Sequence, residues 1–121
     1  VWTRYDLSEV ATPEGFARDP AKVRAFYNAR RANLAAAAPN PAHVALARLQ
    51  AELAARGGRL FLCTQNVDDL HEKAGATDVV HMHGELAVTR CHACEATRPD
   101  PGPLDGEAVC EACGTGGAVG L

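Results

Sequence analysis

Two pairs of cysteines in the last third of the sequence have the spacing of a metal site. Two residues separate the members of each pair and fifteen residues separate the pairs, which comprise Cys91, Cys94, Cys110 and Cys113. Two-residue gaps let both thiolates of a pair reach one tetrahedral ion at roughly 2.3 Å, so the spacing predicts a four-cysteine zinc site. Four thiolates fill the coordination sphere, and such a zinc ion is structural. Free thiols and disulfides are the alternatives.

Amide and carboxylate side chains collect in residues 64–71, whose sequence is Thr-Gln-Asn-Val-Asp-Asp-Leu-His. This segment follows a short apolar run, residues 59–64, that predicts a buried strand. In open α/β sheets, ligands bind at the carboxyl ends of strands, so the segment is a candidate ligand-binding loop. A capped turn, in which Asn66 or Asp68 only caps the next helix, is an equal alternative.

Two histidines two residues apart, His81 and His83, precede Gly84. If the segment is a strand, both side chains point to the same face. Histidine titrates near neutrality and is the usual general base, so a catalytic role is one hypothesis. A hydrogen-bonded core histidine or a metal ligand is the other.

Tyr27 and Arg30 lie three residues apart in a predicted helix and therefore share one face. A phenol and a guanidinium suit a carboxylate ligand, which arginine can bind through two parallel hydrogen bonds. The alternative is an amphipathic helix whose tyrosine packs and whose arginine is solvated.

The elements that must position these side chains alternate between helix and strand. The predicted order is an irregular segment over 1–18 with short helical turns, a helix over 21–34, an amphipathic helix from Asn40-Pro41 to Gly57, a strand over 59–64, a short helix over 68–73, a strand over 79–83 and an extended segment over 85–90. This alternation predicts a parallel α/β fold. Cys63, inside the first strand, is expected to be a small buried hydrophobe.

The composition narrows the functional class. The chain has 121 residues, 47% hydrophobic and 22% charged, with a formal net charge of −3. No basic excess favours nucleic acid or an anionic membrane as a partner. No apolar run has the length of a membrane span and the first residues lack signal-peptide features, so a cytoplasmic location is expected. In a cytosolic chain, paired cysteines favour metal over disulfides.

Five blocks of the sequence, taken in order and spacing, resemble the sirtuin family of NAD-dependent deacylases. They are residues 64–71, Ala74-Gly75, His81-Met82-His83-Gly84-Glu85, the cysteine pairs, and residues 11–16 with 26–31, which are similar to the bacterial branch that removes acidic acyl groups. The resemblance covers practically the whole chain. It implies a partial Rossmann-like parallel sheet with a small helical and zinc-ribbon module.

The resemblance also implies roles for individual residues. The NAD pocket is lined by Gln65, Asn66, Val67 and Asp68. His83, directly before glycine, is the general base on the NAD ribose, and His81 is the weaker candidate. Tyr27 and Arg30 bind the succinyl or malonyl carboxylate, and Ala11 leaves room for the acyl chain. The partners are NAD and acylated lysines of proteins, and the products are free lysine, nicotinamide and O-acyl-ADP-ribose.

The pattern departs from the family at both ends of the chain. A Gly-rich phosphate-binding segment and the later adenosine-binding segments are not in the sequence, so we expect an internal fragment that is inactive alone. Its expected parts are a helical acyl-reading segment over 1–40, the centre of the NAD-binding domain over 41–86 and a zinc module over 87–121. A non-catalytic zinc-ribbon interaction module and a catalytically dead scaffold are the alternative functions.

Overall fold

The computed structural model describes residues 6–117 and 119–120. Its elements are, in order, α1 (Leu7–Val10), α2 (Pro13–Arg18), α3 (Pro20–Ala36), α4 (Pro41–Ala55), β1 (Cys63–Thr64), α5 (Leu70–Lys73), β2 (Val80–His81), β3 (Val88–Cys91), β4 (Thr97–Pro99) and β5 (Val119–Gly120). The predicted order of helices and strands is confirmed up to the extended segment that contains β3, and α1 and α2 are the short helical turns expected in the first segment. The sequence pattern predicts neither β4 nor β5. Residues 1–5 of that segment lie outside the described residues.

The described residues form two compact units. One unit combines the chain up to Asn33 with the chain from Val88 onwards, and the other runs from Leu34 to Ala87. The three functional segments expected from the sequence, 1–40, 41–86 and 87–121, stay a prediction. Among the described residues, every helix is too short or too polar to cross a lipid bilayer.

In the 34–87 unit, helix α4 begins and ends where the sequence predicts. The Asn40 side chain accepts a hydrogen bond from the His43 backbone N–H, and the Asn40 N–H donates to His43 Nδ1, so both ends of a capping box are satisfied. Gly57 beyond the helix has a φ of 77°, a left-handed conformation that glycine adopts without steric cost.

The apolar face of α4 is less buried than its amphipathic pattern indicates. Val44, Leu46 and Leu49 are exposed. Ala47 is the residue of α4 in the core, where it packs with Leu62 and Ala76.

The two strands of this unit pair in parallel, which confirms the predicted α/β class. Cys63 is opposite Val80 and Thr64 is opposite His81. The paired region is shorter than the predicted strands 59–64 and 79–83. An apolar run indicates that a segment is buried, but it does not show how many of its residues find a hydrogen-bonding partner on another strand. Phe61 is 65% exposed.

The other unit contains α1 to α3 up to Asn33 and a three-stranded antiparallel sheet in the order β4-β3-β5. Thr12 caps α2 by accepting a hydrogen bond from the Gly15 N–H, and Pro13 takes the first helical position. The buried apolar side chains of this unit include Val10, Val23, Phe26 and Leu104.

Candidate active site and metal centre

The four paired cysteines meet in one cluster. The sulfur atoms of Cys91, Cys94, Cys110 and Cys113 all lie within 4.8 Å of one another. The Sγ atoms of Cys91 and Cys113 are 3.7 Å apart, and those of Cys94 and Cys110 are 3.8 Å apart. A tetrahedral ion with Zn–S bonds of roughly 2.3 Å requires sulfur separations of about 3.8 Å, whereas a disulfide requires about 2.05 Å. The cluster fits one structural zinc ion.

The backbone around the two cysteine pairs follows the same pattern twice. The Cys91 N–H donates to the Ala96 carbonyl and the Glu95 N–H donates to the Cys91 carbonyl. Equivalent bonds join Cys110 to Thr115 and Gly114 to Cys110. Each pair is therefore held in a closed turn by its own backbone, which orients both sulfurs of the pair toward one point.

One thiol of the cluster already favours the form that binds zinc. Cys113 Sγ lies 3.3 Å from Thr115 Oγ1. Hydrogen bonds with the side chain and the backbone of Thr115 lower the pKa of Cys113 to about 6, and the thiolate is the metal ligand.

The chain between the cysteine pairs is fastened to helix α3. Asn28 donates through Nδ2 to the Leu104 carbonyl at 3.1 Å and accepts through Oδ1 from the Leu104 N–H at 2.5 Å. Arg31, whose side chain is buried, donates through Nε to the Gly102 carbonyl at 2.8 Å and lies 3.5 Å from Asp100. Burial lowers the pKa of Arg31, and the nearby Asp100 carboxylate partly opposes this effect.

In the 34–87 unit, the polar segment Gln65–Asp68 directly follows β1. The Thr64 hydroxyl accepts a hydrogen bond from the Asn66 N–H, and the Asp68 carboxylate accepts one from the Leu70 N–H. The bond from Leu70 to Asp68 closes a turn directly before α5, whose N-cap residue is Asp69 and has no side-chain capping hydrogen bond. Gln65 and Asn66 are exposed, and within the described residues their side-chain amides have no hydrogen-bond partner.

His83 lies in the turn after β2, at the same edge of the parallel sheet as residues 65–68. Its side chain is exposed, and Gly84 follows it with a φ of 83°. The Leu86 N–H donates to the Val67 carbonyl at 2.7 Å, which ties the two loops together. The structure therefore brings His83 and the predicted NAD-lining segment to one place.

The predicted strand over 79–83 is wrong at its end, because β2 stops at His81; the shared face that a strand would give His81 and His83 therefore does not apply. The turn that follows His81 breaks the alternation. The His81 side chain is 4% exposed, its Nδ1 lies 3.1 Å from the Asn66 carbonyl and its Nε2 lies 2.6 Å from Glu72 Oε1. Glu85 Oε1 is 3.7 Å from the same Nε2. The sequence signal was the His-x-His spacing, which revealed neither Glu72 nor the Asn66 carbonyl as partners.

A cavity of about 450 Å³ lies in the other unit, and Ala11 and Tyr27 are among its lining residues. Arg24 and His92 also line it. Arg30 is not among the lining residues, and its guanidinium lies 5.3 Å from the centre of the Phe26 ring.

The Tyr27 ring meets the same Phe26 ring edge-on, at 5.1 Å between centres. The structure thus joins Ala11 and Tyr27 at one cavity, and both Tyr27 and Arg30 contact the ring of the buried Phe26.

Cys63 is exposed, so the expectation that it is a buried hydrophobe is wrong. Side chains alternate between the two faces along a strand, and here Leu62 and Thr64 are buried while Cys63 faces outward.

Comparison with known proteins gives a consistent result. The family profile described as the Sir2 family matches residues 1–115. A protein of Caulobacter vibrioides named NAD-dependent protein deacylase is 74% identical over 119 residues, which are 98% of this chain and 50% of that protein. The protein of the same name from Escherichia coli strain K12 is 49% identical over 115 residues, 93% of this chain and 40% of that protein.

A solved structure described as a Sir2 homologue in complex with NAD superposes with a TM-score of 0.77 at 41% identity, covering 96% of this chain and 44% of that one. The chain spans about half the length of the curated relatives it matches. The family profile matches most of the chain, and the sequence identity to these relatives is high. Both findings agree with the loops that meet at one sheet edge and with the four-cysteine cluster. This chain belongs to the Sir2 family.

Proposed function

We propose that the protein containing this chain is an NAD-dependent protein-lysine deacylase. The observation that carries the proposal is the meeting of residues 65–68 and His83 at one edge of the parallel sheet, joined by the hydrogen bond from Leu86 to Val67. Ligands of open α/β sheets bind at this edge. The names of the relatives point to the same activity.

The residues proposed to hold NAD are Gln65, Asn66, Val67 and Asp68. A nicotinamide carboxamide and ribose hydroxyls are polar but uncharged, and they need donors and acceptors of the kind that amide side chains supply. The exposed amides of Gln65 and Asn66 are available for such bonds because no described residue occupies them. When bound, NAD would supply a ribose carbon open to attack by the acyl-lysine carbonyl oxygen as nicotinamide leaves, and the ribose hydroxyl that finally carries the acyl group.

The exposed imidazole of His83 is proposed as the general base that takes a proton from a ribose hydroxyl. Gly84 in its left-handed conformation lets the chain turn directly after this side chain. Only a neutral imidazole accepts a proton, so activity should fall as His83 becomes protonated.

The experiment is to measure deacylation of an acetyl-lysine peptide by the full-length protein and by His83→Ala, with NAD binding followed by calorimetry. We expect the variant to retain NAD binding and to lose about 100-fold or more in kcat. Normal deacylation by His83→Ala would refute the assignment.

We further propose that the protein removes succinyl and malonyl groups as well as acetyl groups, with Tyr27 and Arg30 binding the acyl carboxylate. The cavity lined by Ala11 and Tyr27 has the volume to hold a short acyl chain. Arg30, three residues after Tyr27 on α3, supplies the positive charge that a carboxylate requires.

Two arginines of α3 allow a matched test of this acyl reader. Arg30→Met should reduce kcat/KM for succinyl-lysine far more than for acetyl-lysine. Arg24→Met, which changes the other arginine near Tyr27, should leave the ratio of the two unchanged. Loss of succinyl preference in Arg24→Met, with Arg30→Met unaffected, would show that Arg24 is the reader.

We also propose that the 121-residue chain alone does not turn over NAD. Its parallel sheet has two strands of two residues each among the described residues, and Phe61 and Met82 beside them are exposed. A two-stranded sheet is marginal by itself. Measurable nicotinamide release by this chain in isolation would overturn this proposal.

A further inference from the structure

The imidazole of His81 is the point at which three elements around the proposed NAD pocket meet. Its own strand, β2, pairs with β1. Its Nδ1 faces the Asn66 carbonyl in the loop after β1, its Nε2 faces Glu72 of α5, and Glu85 approaches from the loop that follows His83. With 4% of the side chain exposed, the ring has little alternative contact with water.

The partners of the ring determine its protonation. A backbone carbonyl has no proton to donate, so the bond to Asn66 requires a proton on Nδ1. The Glu72 carboxylate likewise accepts, so the 2.6 Å contact requires a proton on Nε2. Both bonds exist together when His81 is an imidazolium cation beside two carboxylates.

A metal ion shared by Glu72, His81 and Glu85 explains the geometry less well. Two ligands bound to one ion at roughly 2.1 Å stand about 3 Å or more apart. The 2.6 Å separation between His81 Nε2 and Glu72 Oε1 is that of a charge-assisted hydrogen bond.

We propose that His81 is a positioning residue, a cation that fastens the NAD-lining loop at Asn66 to helix α5 through Glu72. This inference rests on the proposed function of residues 65–68 and His83. His81 does not touch the reacting groups. It acts by holding the backbone of Asn66, whose exposed side chain lies next to Gln65 in the loop.

This link from Asn66 through His81 to Glu72, called the clamp below, depends on pH in a defined direction. Burial alone lowers the pKa of His81, but hydrogen bonds to Glu72 and to the Asn66 carbonyl, with the attraction of Glu72 and Glu85, outweigh it and raise the pKa above 6.5. Among the described residues, the charged groups that face the ring are these two carboxylates. The clamp is complete below pH 6.5 and is lost as the pH rises through the raised pKa of His81. Loss of the clamp should therefore weaken NAD binding on the alkaline side.

Two nearly isosteric variants test the hydrogen bonds of His81 to Glu72 and to Asn66 one at a time. His81→Gln places an amide nitrogen near the position of Nε2 and can keep the bond to Glu72. His81→Asn places one near the position of Nδ1 and can keep the bond to Asn66. In the full-length protein, we expect each variant to raise KM for NAD about tenfold, the effect of losing one charge-assisted hydrogen bond. The values of kcat and of KM for the acyl peptide should change little.

The dependence of KM for NAD on pH distinguishes loss of the clamp from a general loss of stability. KM for NAD should rise as the pH passes through the raised pKa of His81 in the unaltered protein, and this rise should be absent in both variants. An unchanged alkaline rise in the variants, or a fall in kcat without a change in KM for NAD, overturns the proposal.

A spectroscopic test needs neither activity nor a substitution at His81. In ¹⁵N-labelled full-length protein at pH 6.5, both ring nitrogens of His81 should give imidazolium signals, and Glu72→Gln should shift the titration midpoint of His81 to lower pH. A neutral ring at pH 6.5, or a midpoint that Glu72→Gln leaves in place, overturns the clamp. Failure of deacylase activity with the expected NMR result would instead count against the proposed function alone.

Discussion

At the scale of single residues, the two cysteine turns show how backbone conformation limits the choice of side chain. The residue after the second cysteine of each pair is left-handed, with a φ of 63° at Glu95 and 73° at Gly114. A side chain with a Cβ is strained in this conformation by roughly 1–2 kcal/mol, whereas glycine is not. The two turns are otherwise equivalent in their hydrogen bonds, so they form an internal comparison.

The first prediction concerns these two positions. Gly114→Ala should lower the free energy of unfolding of the zinc-loaded protein by about 1 kcal/mol. An added Cβ meets nothing within 4 Å, so this effect is conformational and not steric. Glu95→Gly should raise the free energy of unfolding by about 0.5 kcal/mol, because relief of strain exceeds the greater chain entropy of glycine. Urea unfolding measures both values.

A control separates the conformation of Glu95 from its ion pair with Arg90, whose atoms are 2.5 Å apart. Both side chains are exposed, and such pairs contribute roughly 0–1 kcal/mol. Glu95→Gln keeps the left-handed strain and removes the charge, so it should be neutral or slightly destabilising. If Glu95→Gln stabilises the protein as much as Glu95→Gly does, the strain argument is wrong.

At the scale of elements, helix α3 has two functional pairs of side chains at the same spacing. Tyr27 and Arg30 form the pair proposed to bind substrate, and Asn28 and Arg31 bind the chain between the cysteines. The sequence predicted the helix and the first pair. It could not reveal the second pair, because Leu104 and Gly102 lie 76 and 71 residues away along the chain.

The second prediction is that Asn28 helps to retain zinc. Asn28→Ala leaves the buried backbone N–H and carbonyl of Leu104 without their partner, which should lower the free energy of unfolding by about 2 kcal/mol. A less ordered loop between the cysteine pairs should also release zinc faster to a chromogenic chelator. Asn28→Asp, which keeps only the acceptor, should have a smaller effect.

Asn33, exposed near the end of the same helix, provides the control. Asn33→Ala makes the same chemical change to α3 without touching the loop, and it should leave both stability and zinc release unaltered. Equal zinc release from Asn28→Ala and the unaltered protein would show that α3 does not support the metal site.

The two parallel strands show that a sequence pattern predicts the position of a strand better than its hydrogen-bonded length. Residues 59–64 and 79–83 have the apolar composition of strands, and the parallel pairing is as predicted. The hydrogen-bonded length depends on partners from elsewhere in the chain, and two residue pairs form here. The same limit applies to His81, whose burial is set by Glu72 and Asn66 and not by its own neighbours.

At the scale of the whole molecule, the two units differ in how the chain builds them. The 34–87 unit is one continuous stretch, whereas the other joins residues up to Asn33 to residues from Val88 onwards. The zinc cluster belongs to the discontinuous unit. Its local core among the described residues consists of Cys91 and Cys110 with Ala108 packed against them, which is too little apolar surface to hold an ordered module.

The third prediction follows from this small core: zinc supplies most of the folding free energy of the cysteine module. Metal removal by a chelator should release one zinc ion per chain and lower the apparent Tm by about 10 °C. Hydrogen exchange should show loss of protection at the Cys91 and Cys110 amides, which the closed turns now protect. Helix α4, in the other unit, should keep its protection.

The fifth cysteine supplies the matched control for this experiment. Cys63→Ser alters an exposed thiol in the 34–87 unit, so zinc content and Tm should not change. Cys94→Ser removes an exposed member of the cluster and should reproduce the effect of the chelator, because three thiolates leave the tetrahedral site open to water and weaken binding. Full amide protection at Cys91 and Cys110 after complete zinc removal would show that packing, and not the metal, holds the module together.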